Sequence, residues 1–221
     1  MIHLQAIIWF HGTIQKSKNW VNSNINGNPL KANHSTEQQI QKMTTERKLV
    51  LYISMSLDGY IATKEDSLEF LSLVEKEGED YGYHEFVQSV DAVMVGRKTY
   101  EKVISMGYDY PHSDKDVYIL TRTAKPSVGN FKFFTDDLVQ LVIDLKNKPG
   151  KNIYCDGGAE IANELMKNDL VDEYIISVIP ILLGDGIKLF KNDRPEQRLE
   201  LLKSKQYEKG LIQLHYQRAD Q

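Results

Sequence analysis

Residues 151–188 read KNIYCDGGAEIANELMKNDLVDEYIISVIPILLGDGIK, and the reading of this stretch decides the fold. A short apolar run, Ile153-Tyr154-Cys155, enters Asp156-Gly157-Gly158, and a helical pattern with Ile161, Leu165 and Met166 on one face follows at once. The order is strand, glycine turn, helix. Two adjacent glycines permit positive φ and leave no Cβ between the backbone and a ligand. The first N–H groups of the helix, with the positive end of its dipole, then face whatever lies above the turn. Such a place suits a phosphate, although the glycines alone would also serve a bare strand-to-helix connection.

Outward from this unit the element types alternate. Upstream, residues 49–55 form a buried-strand run that Ser56-Leu57-Asp58-Gly59 breaks with turn chemistry. Residues 67–76 predict a helix, with Leu68, Leu71 and Val74 on one face and Asp66 or Ser67 as its cap. A second helix ends over residues 86–90. A strand over 92–95 leads through Gly96-Arg97-Lys98-Thr99 into a helix carrying Tyr100, Val103 and Ile104. Strands follow at 117–120, ending in Thr121-Arg122-Thr123, and at 131–134. Asp136 or Asp137 then opens a helix whose Leu138, Leu141, Val142 and Leu145 repeat at helical spacing. Downstream, residues 174–179 form a strand. Residues 199–203 and 211–216, joined through Glu208-Lys209-Gly210, form an antiparallel hairpin at one edge. Strands apolar on both faces, alternating with helices, imply a mixed, mainly parallel sheet covered on each side.

The 221 residues allow one domain, or one domain with an appendage, and no internal repeat or second domain is visible. Residues 1–42 are rich in Asn, Gln, Ser and Lys and show no sustained period. Residues 1–46 are therefore expected to be a poorly ordered extension, and 47–221 the functional domain. A formal charge of -4 and a pI near 5.9 give no reason to expect nucleic acid. The one cysteine, Cys155, excludes an internal disulfide and a cysteine-pair zinc site. No apolar run is long enough to cross a bilayer. The stretch 4–10 is short, contains Gln5 and has no preceding basic residue, so a cytoplasmic location is expected.

In an open parallel sheet, ligands bind beyond the carboxyl ends of the strands. Three strand ends here carry chemistry compatible with phosphate: Gly96-Arg97-Lys98-Thr99, Thr121-Arg122-Thr123 and Gly157-Gly158-Ala159. Each alone has an ordinary reading as a solvated pair, a cap or a turn. Together they fit a dinucleotide with more than one phosphate. The usual Rossmann fingerprint is missing, because Gly184-Asp185-Gly186 is followed by neither a third glycine nor a helix.

These residues give the domain a family likeness. It resembles the dihydrofolate reductase superfamily, and more closely the reductase domain at the C-terminal end of bifunctional riboflavin-biosynthesis deaminase-reductases. The similar stretches are Ser56-Leu57-Asp58-Gly59, Val95-Gly96-Arg97-Lys98-Thr99-Tyr100-Glu101, Ile119-Leu120-Thr121-Arg122, Asp156-Gly157-Gly158-Ala159-Glu160 and Pro180-Ile181-Leu182-Leu183-Gly184-Asp185-Gly186. The resemblance implies a three-layer α/β sandwich of dihydrofolate-reductase type and an NADPH-dependent oxidoreductase. It implies that Gly157, Gly158 and Ala159 hold the pyrophosphate, that Arg97, Lys98 and Thr99 reach the adenosine phosphates, that Thr121 and Arg122 flank the adenine ribose and its 2′-phosphate, and that Gly96 and Glu160 also belong to the cofactor-binding set. The substrate would be a small pterin, an aminopyrimidine resembling 5-amino-6-(5-phosphoribosylamino)uracil, or a related compound. A homodimer is also implied, with the apolar region 174–190 as its surface. The deaminase half of the bifunctional enzymes is absent, since one cysteine cannot supply the zinc set.

Hydride transfer also needs a proton for the neighbouring heteroatom, which dihydrofolate reductases manage with one carboxylate. The candidates are Asp58, Glu69 and Asp66, with Asp58 first; their ordinary readings are turn-former, solvated helix residue and helix cap. Two other classes of function share the phosphate motifs: an NADPH-binding sensor without turnover, and an interaction module with a vestigial pocket.

Overall fold

The computed structural model describes residues 47–219; the expected extension over 1–46 lies outside them. Strand β1 (Leu49–Ser56) is at the centre, and its alternate side chains Leu49, Leu51 and Ile53 are fully buried while Val50 and Tyr52 are nearly so on the opposite face. Burial on both faces is what a continuous apolar run predicts. Each buried leucine contributes about 1.5–3 kcal/mol relative to exposure. On either side of β1 run β6 (Asn152–Gly157) and β7 (Glu173–Ile179), both parallel to it, with Leu51 opposite Cys155 and Tyr174.

Beyond β6 lie β3 (Val90–Gly96), β4 (Asp116–Leu120) and β5 (Phe131–Phe134), all parallel. Beyond β7 lie β10 (Ile212–Arg218) and β9 (Leu199–Gln206), both antiparallel to their neighbours. The sheet therefore has eight strands in the order β5-β4-β3-β6-β1-β7-β10-β9. Two short strands, β2 (Tyr60–Ala62) and β8 (Ile187–Lys188), pair separately.

Four helices connect the parallel strands: α1 (Tyr83–Gln88), α2 (Arg97–Ser105), α3 (Leu138–Lys146) and α4 (Ala159–Lys167). The crossovers through α1 and α2 run toward β5, and those through α3 and α4 run toward β9. Right-handed crossovers in opposite directions put the two pairs on opposite faces of the sheet. The result is the three-layer arrangement of dihydrofolate-reductase type. Asp137 caps α3, its carboxylate accepting from Val139 N–H at 2.7 Å and Gln140 N–H at 3.1 Å.

One predicted helix differs. Residues 67–76 form only a 3-10 turn, Glu69–Val74. Asp66 takes a positive φ of 60° and does not cap the turn; Ser67 Oγ instead accepts from Glu69 N–H at 3.3 Å. The apolar face survives: Phe70, Leu71 and Val74 are buried in a second cluster with Tyr81, Tyr207 and Leu211.

At the amino end of the sheet, Glu173 accepts from Lys48 Nζ at 2.6 Å and pairs with His215 Nε2 at 2.8 Å. The His215 contact, then Lys48, outweigh desolvation and hold its carboxyl below the ordinary 4.5. A depressed carboxylate contributes stability that is complete above the unfolded-state value and is lost as pH falls through the lower folded-state value. The urea midpoint of Glu173→Gln is therefore expected to lie below that of the wild type at pH 7. The gap should close as acid titration passes below 4.5. A gap that stays constant into strong acid would remove Glu173 from the account.

Candidate functional site

Strands β3 and β6 are adjacent and parallel, so the helices that follow them begin side by side at one edge of the sheet. Helix α2 starts after Gly96 (φ −70°, ψ 143°) and α4 after Gly158 (φ 75°, ψ 133°). Neither start has a side-chain cap, in contrast to the Asp137 cap of α3. Their first-turn N–H groups have no intrahelical acceptor and need another partner. The two turns pack closely. A Cβ on Gly158 would lie 3.2 Å from Thr99 Oγ1, and one on Gly96 3.4 Å from Ile161 Cγ1. Gly157, with φ 102°, completes a backbone path that L side chains rarely adopt.

Between these two helix starts and the ends of β4 and β5 opens a cleft of about 1030 Å³. That volume is at the upper end for a small-molecule site. Gly96, Arg97, Lys98 and Thr99 line it from α2, Thr121 and Arg122 from the end of β4, and Gly158, Ala159 and Glu160 from α4. Gly157 alone among the predicted residues of the three strand ends is not part of the lining. Arg97 is held 2.5 Å from Glu101 along its own helix. Lys98 and Arg122 are exposed and make no ion pair with another described residue. Glu160 is exposed in the first turn of α4.

The three candidate carboxylates are not together. Asp58 ties the turn after β1 to the loop after β7: it accepts from Ser56 Oγ at 2.5 Å, Leu183 N–H at 3.1 Å and Gly184 N–H at 2.7 Å. Against a desolvation cost, these bonds hold its carboxyl below the ordinary carboxylate value. Asp66 lines the cleft, 3.6 Å from Lys102 Nζ. Glu69 is exposed on the 3-10 turn and not part of the lining.

A fourth carboxylate, treated in the sequence only as part of the turn, is fully buried. Asp156, immediately before the glycine pair, accepts from Tyr110 Oη at 2.5 Å and Tyr154 Oη at 2.6 Å. Tyr154 meets Tyr83 edge-on, ring centroids 6.4 Å apart, and Tyr83 Oη lies 3.0 Å from His112 Nε2. Burial first, and then the Asp156 charge, push the phenols of Tyr83, Tyr110 and Tyr154 well above the ordinary 10.0, so they stay protonated and serve as donors. The available signal was an acidic residue at an inward position of an apolar strand, two residues after a tyrosine on the same face. Cys155 points to the other face, and burial pushes its thiol up to about 12, which makes it a core residue rather than a nucleophile.

Among the described residues, no group of three or more His, Cys, Asp and Glu could hold a metal ion, and no helix is long and apolar enough to cross a membrane. A family model for the RibD C-terminal domain matches residues 47–213. The uncharacterized protein YwjB of Bacillus subtilis (strain 168) is 43% identical over 175 residues, covering 79% of this chain and 99% of its own. A structure from Shewanella sp. PV-4, provisionally named a riboflavin biosynthesis protein, is 32% identical with a TM-score of 0.71, over 78% of this chain and 99% of that one. Dihydrofolate reductase from Enterococcus faecalis, complexed with NADP(H), shares the fold at 16% identity and a TM-score of 0.55, over 79% of this chain and 98% of that one.

Proposed function

We propose, from the premise that the chain belongs to the RibD C-terminal domain family, that it is an NADPH-dependent reductase of the riboflavin-pathway type, acting in the cytoplasm. Its substrate is a small pterin, an aminopyrimidine resembling 5-amino-6-(5-phosphoribosylamino)uracil, or a related compound. One observation carries the reading: two uncapped helix N-termini and the end of β4 converge on a single cleft with exposed Lys98 and Arg122 in its wall. The glycine contact at Thr99 leaves room for a phosphate group where any side chain would intrude.

When bound, NADPH supplies the hydride. The chain's own residues hold and orient it. The N–H groups of Gly158 and Ala159, with Gly157 shaping the turn, take the pyrophosphate, and Glu160 accepts from a ribose hydroxyl. Lys98 and Thr99, with Arg97 drawn from Glu101, meet the adenosine phosphates, and Thr121 and Arg122 flank the 2′-phosphate. For the proton, Asp58 is poorly suited, because three donors stabilise its ionised form. Asp66 and Glu69 are exposed. Asp156 is barred on the same ground as Asp58, since Tyr110 and Tyr154 donate to its carboxylate and it is not part of the cleft lining; Asp66, which lines the cleft, is the best placed of the candidates. Asp66→Asn should retain NADPH binding and lose reduction.

Fluorescence titration with NADPH and NADH tests the reading. Micromolar NADPH binding and much weaker NADH binding are expected. Arg122→Ala should weaken NADPH by about 10–100-fold, the equivalent of one charge-assisted contact, and leave NADH unchanged. Absence of binding to either nucleotide would end the reductase reading. The tied-up state of Asp58 favours a second reading, a sensor that holds NADPH without turnover. Bound NADPH that is never consumed with dihydrofolate or aminouracils as acceptors would support it.

A further inference from the structure

The side of α2 that faces the cleft carries Lys98, Lys102 and, at its C-terminal cap, Met106, one residue per turn. Lys98 stands beside the glycine turns that gather the phosphate chemistry. Lys102 stands about 6 Å further along the helix axis. The lining changes around it: Leu68, Val103, Met106 and Ile187 are apolar. The placement of the cofactor's phosphates uses none of these residues.

Lys102 Nζ donates to the backbone carbonyl of Asp66 at 3.1 Å and lies 3.6 Å from Asp66 Oδ2. The second contact is an ion pair, too long for a hydrogen bond. One of the three ammonium donors is therefore used, and among the described residues the ammonium has no other polar partner. Among the same residues the Asp66 carboxylate meets only Lys102. The backbone of Asp66 is fixed in the left-handed region at φ 60°, its N–H donating to Thr63 O at 3.1 Å. Both side chains are partly exposed, so the pair adds little to stability. It sets two spare ammonium donors and a carboxylate side by side in the wall of the cleft.

We propose that Lys102 is the residue that reads the hydride acceptor. Its ammonium donates to a ring carbonyl while Asp66 accepts from the adjacent ring N–H, so the acceptor presents a cyclic-amide edge, as a uracil or an oxo-pterin ring does. A cyclic amide points its N–H and C=O the same way, and a donor and an acceptor 3.6 Å apart meet both. The apolar side chains of Leu68, Val103 and Met106 suit the faces of a flat ring. A phosphate monoester fits poorly at this end, because the Asp66 carboxylate repels it. A carboxyl group accepts in either protonation state, so the contact is compatible with Asp66 supplying the proton. The inference rests on the reductase reading and adds to it which edge of the substrate is bound, and by which residue.

Isothermal titration calorimetry on the full-length protein, free and loaded with NADP+, tests the pair with 5,6-diaminouracil, its 1,3-dimethyl derivative and ribose 5-phosphate. Diaminouracil should bind. The dimethyl derivative, which lacks the ring N–H, should bind at least about 10-fold more weakly, and ribose 5-phosphate should not compete. Lys102→Met should weaken diaminouracil about 10–100-fold, with circular dichroism unchanged and NADPH affinity within about 3-fold of the wild type. Lys102→Arg restores the donors and should recover most of the loss. No binding of diaminouracil to either form overturns the proposal, as does wild-type affinity in Lys102→Met, equal binding of the dimethyl derivative, or competition by ribose 5-phosphate. A loss of NADPH affinity as large as the loss of diaminouracil affinity overturns it too, by assigning Lys102 to the cofactor. The ring titration of the free protein judges Lys102 and the NADPH titration judges the reductase reading, so each fails on its own result.

Discussion

Gly158→Val is expected to abolish measurable NADPH binding while leaving the chain folded. The residue sits at φ 75° and ψ 133°, a conformation that costs a β-branched side chain about 1–3 kcal/mol. The first added carbon already lies 3.2 Å from Thr99 Oγ1, and the further methyls extend into the space between the two helix starts. A pyrophosphate bound there takes charge-assisted bonds from backbone N–H groups, each worth about 1.5–3 kcal/mol. Losing two of them weakens binding about 100-fold or more. Nicotinamide fluorescence reads the binding and urea unfolding reads the strain. Undiminished affinity in a folded Gly158→Val protein would mean that the nucleotide does not approach this turn, and the proposed placement would fall with it.

The second large effect is on stability. Asp156→Ala removes the acceptor to which two buried phenols donate, and each such loss costs about 1–3 kcal/mol. A domain of this size has only about 5–15 kcal/mol in total. The informative comparison is the triple variant Asp156→Leu, Tyr110→Phe, Tyr154→Phe, which removes donors and acceptor together. It should recover much of the loss, because a matched apolar replacement leaves no polar group stranded. Equal midpoints for Asp156→Ala and the triple variant would show that stranding the two phenols is not what the substitution costs.

Much of the architecture could be read from the chain because its signals are local. The strand, glycine turn and helix at 152–167 depend on neighbours in sequence, as does the Asp137 cap, and the structure places both where the pattern does. The hairpin of β9 and β10 was equally legible, though both strands run longer than their apolar cores. Residues 67–76 show the limit. Their apolar spacing satisfies either helix type, and the positive φ at Asp66 together with the Thr63 to Ser67 turn leaves too few residues to propagate an α-helix.

The partly legible site follows the same division. Three phosphate-compatible strand ends are local motifs, and a parallel sheet necessarily brings such ends to one edge. The roles of the carboxylates are not local. Asp58 reads as a turn residue until Leu183 and Gly184, some 125 residues away in the chain, are seen to donate to it. Asp156 reads as part of a glycine turn until Tyr110 arrives from the loop between α2 and β4.

The position of β1 at the middle of the sheet has a consequence for how the protein is made. Its neighbours β6 and β7 are supplied by residues 152–179, so β1 waits for more than half of the chain that follows it before either flank can be covered. At ordinary elongation rates of about 5–20 residues per second, that interval lasts several seconds or longer. Throughout it, the aliphatic run of β1 is available to any other nascent chain. Demand for chaperone protection during synthesis should therefore track the delay between β1 and β7 more closely than the stability of the finished domain.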